Sequence, residues 1–279
     1  SPGRTGKLLI SILLSYSDLT DSALSVFAIC IPYDQTCFKC LTREDHQDDS
    51  SNPRPLPALN DTNFFAKFLI HGDIMPSLMR NADPCTARGC KWRKKGRYVY
   101  VPFTIASDFT TEQCDIILKA IVQFHRSTCI RFVWRRKQVD YLHFFSGTGC
   151  WSYIGRQGKQ QKISLQKNGC VYTSTVQHEV LHALGFHHEQ VRSDRDSYVK
   201  IHFGNIRPGQ SSQSHLEDTN NLGTPYDFNS VMQYPNYAFS KNGLPTITAR
   251  CNPNLPLGCA KQISRNDIAR VNRLYKCSK

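Results

Sequence analysis

The chain has 279 residues, of which 40% are hydrophobic and 20% charged, a composition typical of folded proteins and unlike disordered or fibrous ones. Its formal net charge of +13 favours an anionic partner, but no nucleic-acid-binding motif accompanies the charge, so we expect no nucleic-acid partner. Twelve cysteines exclude a typical cytosolic enzyme and indicate disulfides formed in an oxidising compartment, so we expect a secreted protein.

The N-terminal part has the features of a leader followed by a loosely ordered segment. Arg4 and Lys7 precede an apolar run at 8–14, so residues 1–30 are predicted to be a leader. This run is shorter than the roughly 18 apolar residues of a membrane-spanning helix, and we expect no membrane span. Residues 42–62 are polar, acidic and proline-rich, as in linkers and prosegments.

Strand patterns begin at residue 97. Residues 97–105 are rich in tyrosine, valine, phenylalanine and threonine and predict a β-strand. Two further β-rich stretches, 130–134 and 141–145, predict strands as well. The glycine-rich stretch 147–158 predicts a loop.

Three stretches predict helices. The first begins with a capping threonine at 110 or 111 and carries apolar residues at helical spacing over 116–124. The second covers 175–184 and ends at Gly185, which permits a left-handed turn. The third, about 266–275, begins with a serine and an aspartate in a near capping box.

The second predicted helix carries the chemistry. His178 and His182 are four residues apart and share one helical face, where they can hold one zinc ion. Glu179 reaches the same face and can polarise a water molecule. Gly185 ends the helix, so that His188 falls at the position of a third ligand. Three imidazoles leave one coordination position open, which favours a catalytic zinc over a structural one.

Residues 178–196 resemble the extended signature of the astacin metalloendopeptidases, and Ser230-Val-Met232-Gln-Tyr234 resembles the Met-turn of that family. The similarity covers about residues 64–279. It implies an α+β fold with a two-lobed catalytic domain, in which the upper lobe has a mixed sheet and helices and the lower lobe is mostly irregular. It also implies one catalytic Zn²⁺ ion and a protein or peptide substrate.

The resemblance implies a role for each matching residue. The expected zinc ligands are His178, His182 and His188. Glu179 would be the general base and then the proton donor to the leaving amine. Tyr234 would be a fifth zinc ligand at rest and would stabilise the oxyanion during hydrolysis. Met232 would form the floor under the metal, and Glu189 would anchor the N-terminus freed by activation.

A precursor form is implied as well. Ile70-His-Gly72-Asp73 resembles the Phe-x-Gly-Asp motif of the family's prosegments, in which the aspartate occupies the open zinc position. The bond Arg80–Asn81 is the expected cleavage point of an activating trypsin-like protease. The expected domains are therefore a prosegment at 31–80 and a catalytic domain at 81–279.

The cysteine pattern resembles the six-cysteine branch of the family that includes fish hatching enzymes, because Cys85 and Cys90 form a short pair after the cleavage point. This resemblance implies three disulfides, Cys85–Cys90, Cys129–Cys277 and Cys150–Cys170. Cys251 and Cys259 flank a proline-rich loop and could pair locally. Cys114 is left over, and we expect a buried free thiol.

Two hypotheses about function follow. The first is a secreted, monomeric zinc endopeptidase that acts on extracellular proteins, with egg-envelope proteins indicated by the six-cysteine pattern. The second is an inactive secreted binding protein on the same scaffold. The second hypothesis predicts that a zinc ligand or the general base is missing. The sequence has all three histidines and Glu179.

Overall fold

The computed structural model describes residues 69–76, 89–210 and 216–278. The expected leader, the bond Arg80–Asn81 and Cys85 lie outside the described residues. Cys90 is disulfide-bonded, and its pairing with Cys85 stays a prediction. Among the described residues, no helix has the length and apolar character that crossing a membrane requires.

A mixed sheet forms the upper lobe. Its six strands within the described residues are β1 (Lys94–Lys95), β2 (Tyr98–Ile105), β3 (Ile130–Trp134), β4 (Tyr141–Phe145), β5 (Cys150–Trp151) and β6 (Gln160–Leu165). The strand order is β1-β2-β4-β6-β5, and β3 also pairs with β2. The pairs β2–β3, β2–β4 and β4–β6 are parallel. β5 is antiparallel to β6 and forms an edge of the sheet.

Helices cover the sheet and complete the main core. Their bounds are α1 (Thr111–Ser127), α2 (Thr173–Leu184) and α3 (Arg265–Leu274). Thr110 caps α1 in a capping box with Gln113, which satisfies two backbone N–H groups at the helix start. The apolar stripe of α1, from Ile117 to Phe124, is buried in the same core as β2, β4 and α2.

The lower lobe has little regular structure. A two-stranded antiparallel sheet joins β7 (Val199–Ile201) to β8 (Ile247–Ala249). Three short 3-10 turns, Glu189–Val191, Arg195–Ser197 and Phe203–Asn205, are the other regular elements of the described residues there, and most of the lobe is irregular chain. A second hydrophobic cluster fills this lobe; it includes Tyr226, Tyr234, Ile247 and Leu257. This arrangement confirms the expected α+β fold with an irregular lower lobe.

Several local predictions need correction. The stretch 147–158 is not loop throughout, because β5 lies within it. The strand pattern also missed β6, which begins with three polar residues, Gln160 to Lys162. β5 is defined by its pairing with β6, and β6 by its pairing with β4 and β5, so neither strand follows from its own sequence pattern. Cys114 is a free cysteine as expected, but it is half-buried and not buried, because it lies in the first turn of α1.

Two disulfides tie distant parts of the fold together. Cys129–Cys277 joins the start of β3 to the residues after α3, across a sequence separation of 148. Cys150–Cys170 joins β5 to the loop before α2, across a separation of 20. Both coincide with pairs that the family resemblance implies. Cys251 and Cys259 are each disulfide-bonded as well.

We predict that replacing Cys129 and Cys277 by serine lowers the free energy of unfolding more than replacing Cys150 and Cys170. Loop-closure entropy gives about 5 kcal/mol for the longer loop and about 3 kcal/mol for the shorter one. Urea unfolding of the two double variants would measure the difference. An equal or larger loss in the Cys150/Cys170 variant would contradict this ranking.

Candidate active site

The end of α2 brings the three histidines of the sequence motif together. Gly185 adopts a φ of 108°, and its N–H donates to the carbonyl of His182. This left-handed turn is strained for residues with a Cβ atom, so glycine suits it. The reversed chain places Phe186 O 2.7 Å from His182 Nδ1. As a result, the His188 side chain lies next to those of His178 and His182.

The tautomers of two histidines follow from their contacts. His178 Nδ1 lies 2.7 Å from the carbonyl oxygen of Val231, and His182 Nδ1 lies as close to that of Phe186. Carbonyl oxygens only accept hydrogen bonds, so both Nδ1 atoms carry the proton. Both Nε2 atoms therefore present lone pairs towards the centre of the site.

The geometry fits a zinc ion. The three Nε2 atoms form a triangle with edges of 3.1, 3.2 and 3.3 Å. Tetrahedral zinc with nitrogen ligands at about 2.0 Å places neighbouring ligand atoms about 3.3 Å apart. Lone pairs this close repel each other unless a cation lies between them. Burial lowers the pKa of His182 well below its usual range and that of His188 to about 4, which favours the neutral imidazoles that bind metals.

Asp73 completes the cluster from outside the motif. Its Oδ2 atom lies 3.1 Å from His178 Nε2 and 3.0 Å from His188 Nε2. Asp73 and the three histidines form a group of four that could hold a metal ion. Burial alone would raise the pKa of Asp73, but its contacts with the histidines lower it below the usual range. Asp73 is therefore a carboxylate at the fourth corner of the site.

Residues 70–75 hold Asp73 against the sheet edge. The N–H of Ser152, just after β5, donates to the carbonyl of Asp73 at 2.9 Å. In return, the Met75 N–H donates to the carbonyl of Ser152 at 2.8 Å, and Ile74 pairs with Ser152 in a parallel bridge. An unpaired strand edge is a template for an extended peptide, and here it binds part of the same chain.

Glu179 and Tyr234 lie beside the metal-binding group. Glu179 is buried, and burial followed by the charge of Asp73 raises its pKa well above the usual range. The Tyr234 hydroxyl donates to the carbonyl of His71 and lies 3.4 Å from Asp73 Oδ2. Burial, Asp73 and Glu179 raise the pKa of Tyr234 well above its usual range, so its hydroxyl remains a neutral donor. Both side chains line a pocket of about 500 Å³ together with His178.

Comparison with known protein families matches residues 88–276 to Astacin, a family of peptidases. The chain belongs to the astacin family of zinc metalloendopeptidases. It is therefore a zinc-dependent enzyme whose substrates are proteins, and the prediction of a zinc metalloendopeptidase is confirmed. This match covers the sheet, the three helices and the histidine motif.

Relatives within the astacin family include fish enzymes. The chain is 43% identical over 221 residues to High choriolytic enzyme 1 of Oryzias latipes, covering 78% of this chain and 82% of that protein. It is 41% identical over 212 residues to Low choriolytic enzyme of the same fish, covering 75% and 78%. The solved structure of High choriolytic enzyme 1, described as a hatching enzyme zinc-protease, matches with a TM-score of 0.68 and 45% identity, covering 71% of this chain and all of that one. The expected likeness to fish hatching enzymes is confirmed.

The stretch 230–234, which resembles the Met-turn, is hydrogen-bonded to the histidine motif and to the residue after it. The Val231 carbonyl accepts from His178, and the Met232 carbonyl accepts from the Glu189 N–H at 2.9 Å. The Met232 side chain is 2% exposed and lies in the main core. Asp267, at the start of α3, accepts from the Ser230 hydroxyl at 2.6 Å and from the Val231 N–H at 3.2 Å. The capping-box pattern in the sequence placed Asp267 at the start of this helix, but it did not predict the contact of Asp267 with the Met-turn.

Glu189 belongs to a buried charged network. Arg270 on α3 donates to both of its carboxylate oxygens, and Arg192 donates to one at 3.3 Å. The backbone N–H of Asp227 adds a further hydrogen bond at 2.7 Å. Burial raises the pKa of Glu189, and the two guanidinium groups oppose that rise. Sequence reasoning missed Arg270, since no local pattern links it to a glutamate 81 residues away.

We predict that Arg270→Met lowers the free energy of unfolding by about 3–5 kcal/mol, because it leaves a buried carboxylate without its main partner. The double variant Glu189→Gln/Arg270→Met should recover at least half of that loss. Chemical denaturation of the three proteins measures both effects.

Lys167→Met serves as the control, since Lys167 and Asp108 form a pair at 3.2 Å with side chains 38% and 48% exposed. Its expected loss is below about 1 kcal/mol. A similar loss in the Arg270→Met and Lys167→Met proteins would contradict the importance of the buried pair.

Proposed function

We propose that this astacin-family chain is the latent precursor of a secreted zinc endopeptidase, with Asp73 as its inhibitory group. The main support is the contact of the Asp73 carboxylate with His178 and His188, directly beside Glu179. A carboxylate at that corner occupies the position that a catalytic zinc site keeps open for water or substrate. The proposed domains are a leader at 1–30, a prosegment at 31–80 and a catalytic domain at 81–279.

In the proposed mechanism, His178, His182 and His188 hold the zinc ion, which when bound supplies a Lewis acid that lowers the pKa of water. Glu179 accepts the proton of the attacking water and passes it to the leaving amine. Its buried position strengthens it as a base by raising its pKa. The Tyr234 hydroxyl donates to the developing oxyanion, where a well-placed donor contributes most.

The strand edge at Ser152 is the proposed binding site for the substrate backbone. Its N–H and C=O groups pair with residues 73 and 75 in the precursor. Release of the prosegment frees these groups for an extended substrate peptide. Cleavage at Arg80–Asn81 by a trypsin-like protease is the proposed trigger, and Glu189 is the proposed anchor of the new N-terminus.

Egg-envelope proteins are the proposed substrates. The names of the fish relatives describe choriolytic and hatching enzymes, and the identity of 43% extends over 78% of this chain. Extracellular localisation is supported by the disulfides Cys129–Cys277 and Cys150–Cys170, since such bonds persist in oxidising compartments. A monomer is the proposed form, and the metal-binding group is complete within one chain, so the proposed activity needs no second subunit. A purely inactive binding protein is disfavoured, because the ligand set and Glu179 are present together.

We predict that Glu179→Gln lowers peptide hydrolysis by about 10²–10⁴-fold, because an amide cannot accept the proton of water. Zinc content should remain near one ion per chain, since the histidines are unchanged. Hydrolysis of a quenched peptide library by the trypsin-treated proteins, with and without a chelator, together with metal analysis, tests this. Glu112→Gln is the matched control, because Glu112 is exposed on α1 and should leave turnover unaltered. Normal turnover by the Glu179→Gln protein would refute the mechanism.

We also predict that Asp73→Ala raises the chelator-sensitive activity of the uncleaved full-length chain by about tenfold or more, because a tethered blocking group acts at high effective concentration. Trypsin treatment should bring the wild-type chain to a similar activity and expose Asn81 as the new N-terminus. Peptidase assays before and after trypsin, with N-terminal sequencing, measure both.

Asp108→Ala is the control for this experiment, because Asp108 lies outside the cleft and pairs with Lys167. Its uncleaved chain should stay latent. Full activity of the uncleaved wild-type chain would contradict the inhibitory role of Asp73 but not the enzyme assignment. Envelope protein and casein can then be compared as substrates of the activated enzyme, and no preference for envelope protein would count against the proposed target.

A further inference from the structure

The segment 251–259 contributes Gly258 to a wall of the cleft. Gly258 and Ala260 line the same pocket of about 500 Å³ as Glu179, Tyr234 and Pro235. The two cysteines that bound this segment are both disulfide-bonded. A peptide bound beside Glu179 would therefore lie against the backbone of Gly258.

Gly258 is packed directly against the chain that carries Tyr234. A Cβ atom at this position would lie 2.4 Å from Pro235 N, 2.6 Å from Pro235 Cα and 2.8 Å from the carbonyl carbon of Tyr234. All three are backbone atoms, which cannot rotate away as the end of a side chain can. Any larger residue at 258 would therefore have to push the Tyr234–Pro235 peptide out of place.

Asn236 joins the segment 251–259 to the stretch of chain that carries Tyr234. Its Oδ1 atom accepts from the Leu257 N–H at 2.8 Å, and its Nδ2 atom donates to the Leu255 carbonyl at 3.2 Å and the Ile247 carbonyl at 3.1 Å. Asn236 is 6% exposed, so these hydrogen bonds are shielded from water. The Leu257 side chain is 1% exposed and packs in the same cluster as Tyr234.

The position of Tyr234 is thus determined from two sides. On the metal side, its N–H donates to Gln190 Oε1 at 3.2 Å. On the other side, the Tyr234 carbonyl accepts from Gln233 Nε2 at 2.9 Å, and the Pro235 carbonyl accepts from the Ala238 N–H at 3.2 Å. Gly258 packs against the peptide bond that joins these two residues.

We propose that Gly258 and Asn236 are positioning residues, which hold the Tyr234 hydroxyl at the distance from Glu179 and the histidines that hydrolysis requires. The inference rests on the role of Tyr234 proposed above. In this proposal, the segment 251–259 contributes to the reaction by positioning Tyr234. Displacement of a reacting group by about 1 Å can cost about 10²-fold in rate, so a small shift of this backbone should be measurable.

The test compares two glycines with nearly the same positive φ. Gly258 has a φ of 71° and Gly243 a φ of 72°, but a Cβ atom at Gly243 would meet nothing within 4 Å. Gly243→Ala therefore carries the strain of a left-handed alanine without the collision. In the trypsin-treated full-length chain, we expect Gly258→Ala to lower kcat by about 10–100-fold with KM changed less than about twofold, and Gly243→Ala to stay within about twofold of wild type.

A double-mutant cycle with Tyr234→Phe separates positioning from general damage. If Gly258 acts through Tyr234, Gly258→Ala should lower kcat by less than about twofold in the Tyr234→Phe background. The affinity for a phosphinic peptide, a mimic of the tetrahedral transition state, should fall in parallel with kcat in the single variant. Thermal unfolding and zinc content of each protein show whether the fold and the metal are retained.

The outcomes are distinct. Equal losses from Gly258→Ala and Gly243→Ala, or an undiminished loss from Gly258→Ala in the Tyr234→Phe background, would overturn the inference. If Gly258→Ala does not fold, Asn236→Ala takes its place in the same cycle, because it loosens the wall without a collision. Wild-type activity of Tyr234→Phe would instead refute the proposed role of Tyr234, whereas activity in Glu179→Gln would refute the zinc mechanism itself.

Discussion

The left-handed turn at Gly185 is the constraint on which the metal site depends. Two histidines on one helix can only supply two ligands on one face, and the third must come from a chain that turns back within a few residues. Gly185, with a φ of 108°, provides this reversal at the end of α2. The same turn brings Phe186 O to His182 Nδ1, so the reversal also sets which nitrogen of His182 faces the site. The position of His188 and the protonation of His182 therefore have one local cause.

The other supports of the site come from far along the chain and are mostly polar. The Met-turn accepts a hydrogen bond from His178 and another from Glu189, and Asp267 on α3 holds that turn in place. Arg270, one turn further along α3, neutralises Glu189. Because these groups are buried, each is costly to leave without a partner. Helix α3 and the Met-turn are consequently joined by contacts whose loss would affect both the stability of the fold and the chemistry of the site.

The parts of the site that could be predicted from sequence are those set by short-range geometry. The spacing of His178, Glu179, His182 and His188 follows from one helix and one glycine, and the α+β fold was predicted from strand and helix patterns together with the family resemblance. Contacts across long separations were harder to predict. The contact of Asp73 with His178 spans 105 residues and was expected from resemblance alone. The packing of Gly258 against Pro235 leaves no pattern in the sequence, because it depends on where two loops meet. β5 was missed for the same reason, since its pairing with β6 defines it.

The central claim is that one zinc ion is held by three imidazoles and that Asp73 completes the site in the uncleaved chain. X-ray absorption at the zinc edge of the full-length protein, before and after trypsin treatment, tests this claim most directly. The account predicts nitrogen and oxygen ligands at about 2.0–2.2 Å, with three imidazoles in both samples and a carboxylate contribution that Asp73→Ala removes before cleavage. A sulfur ligand at about 2.3 Å, or fewer than three imidazoles, would contradict it.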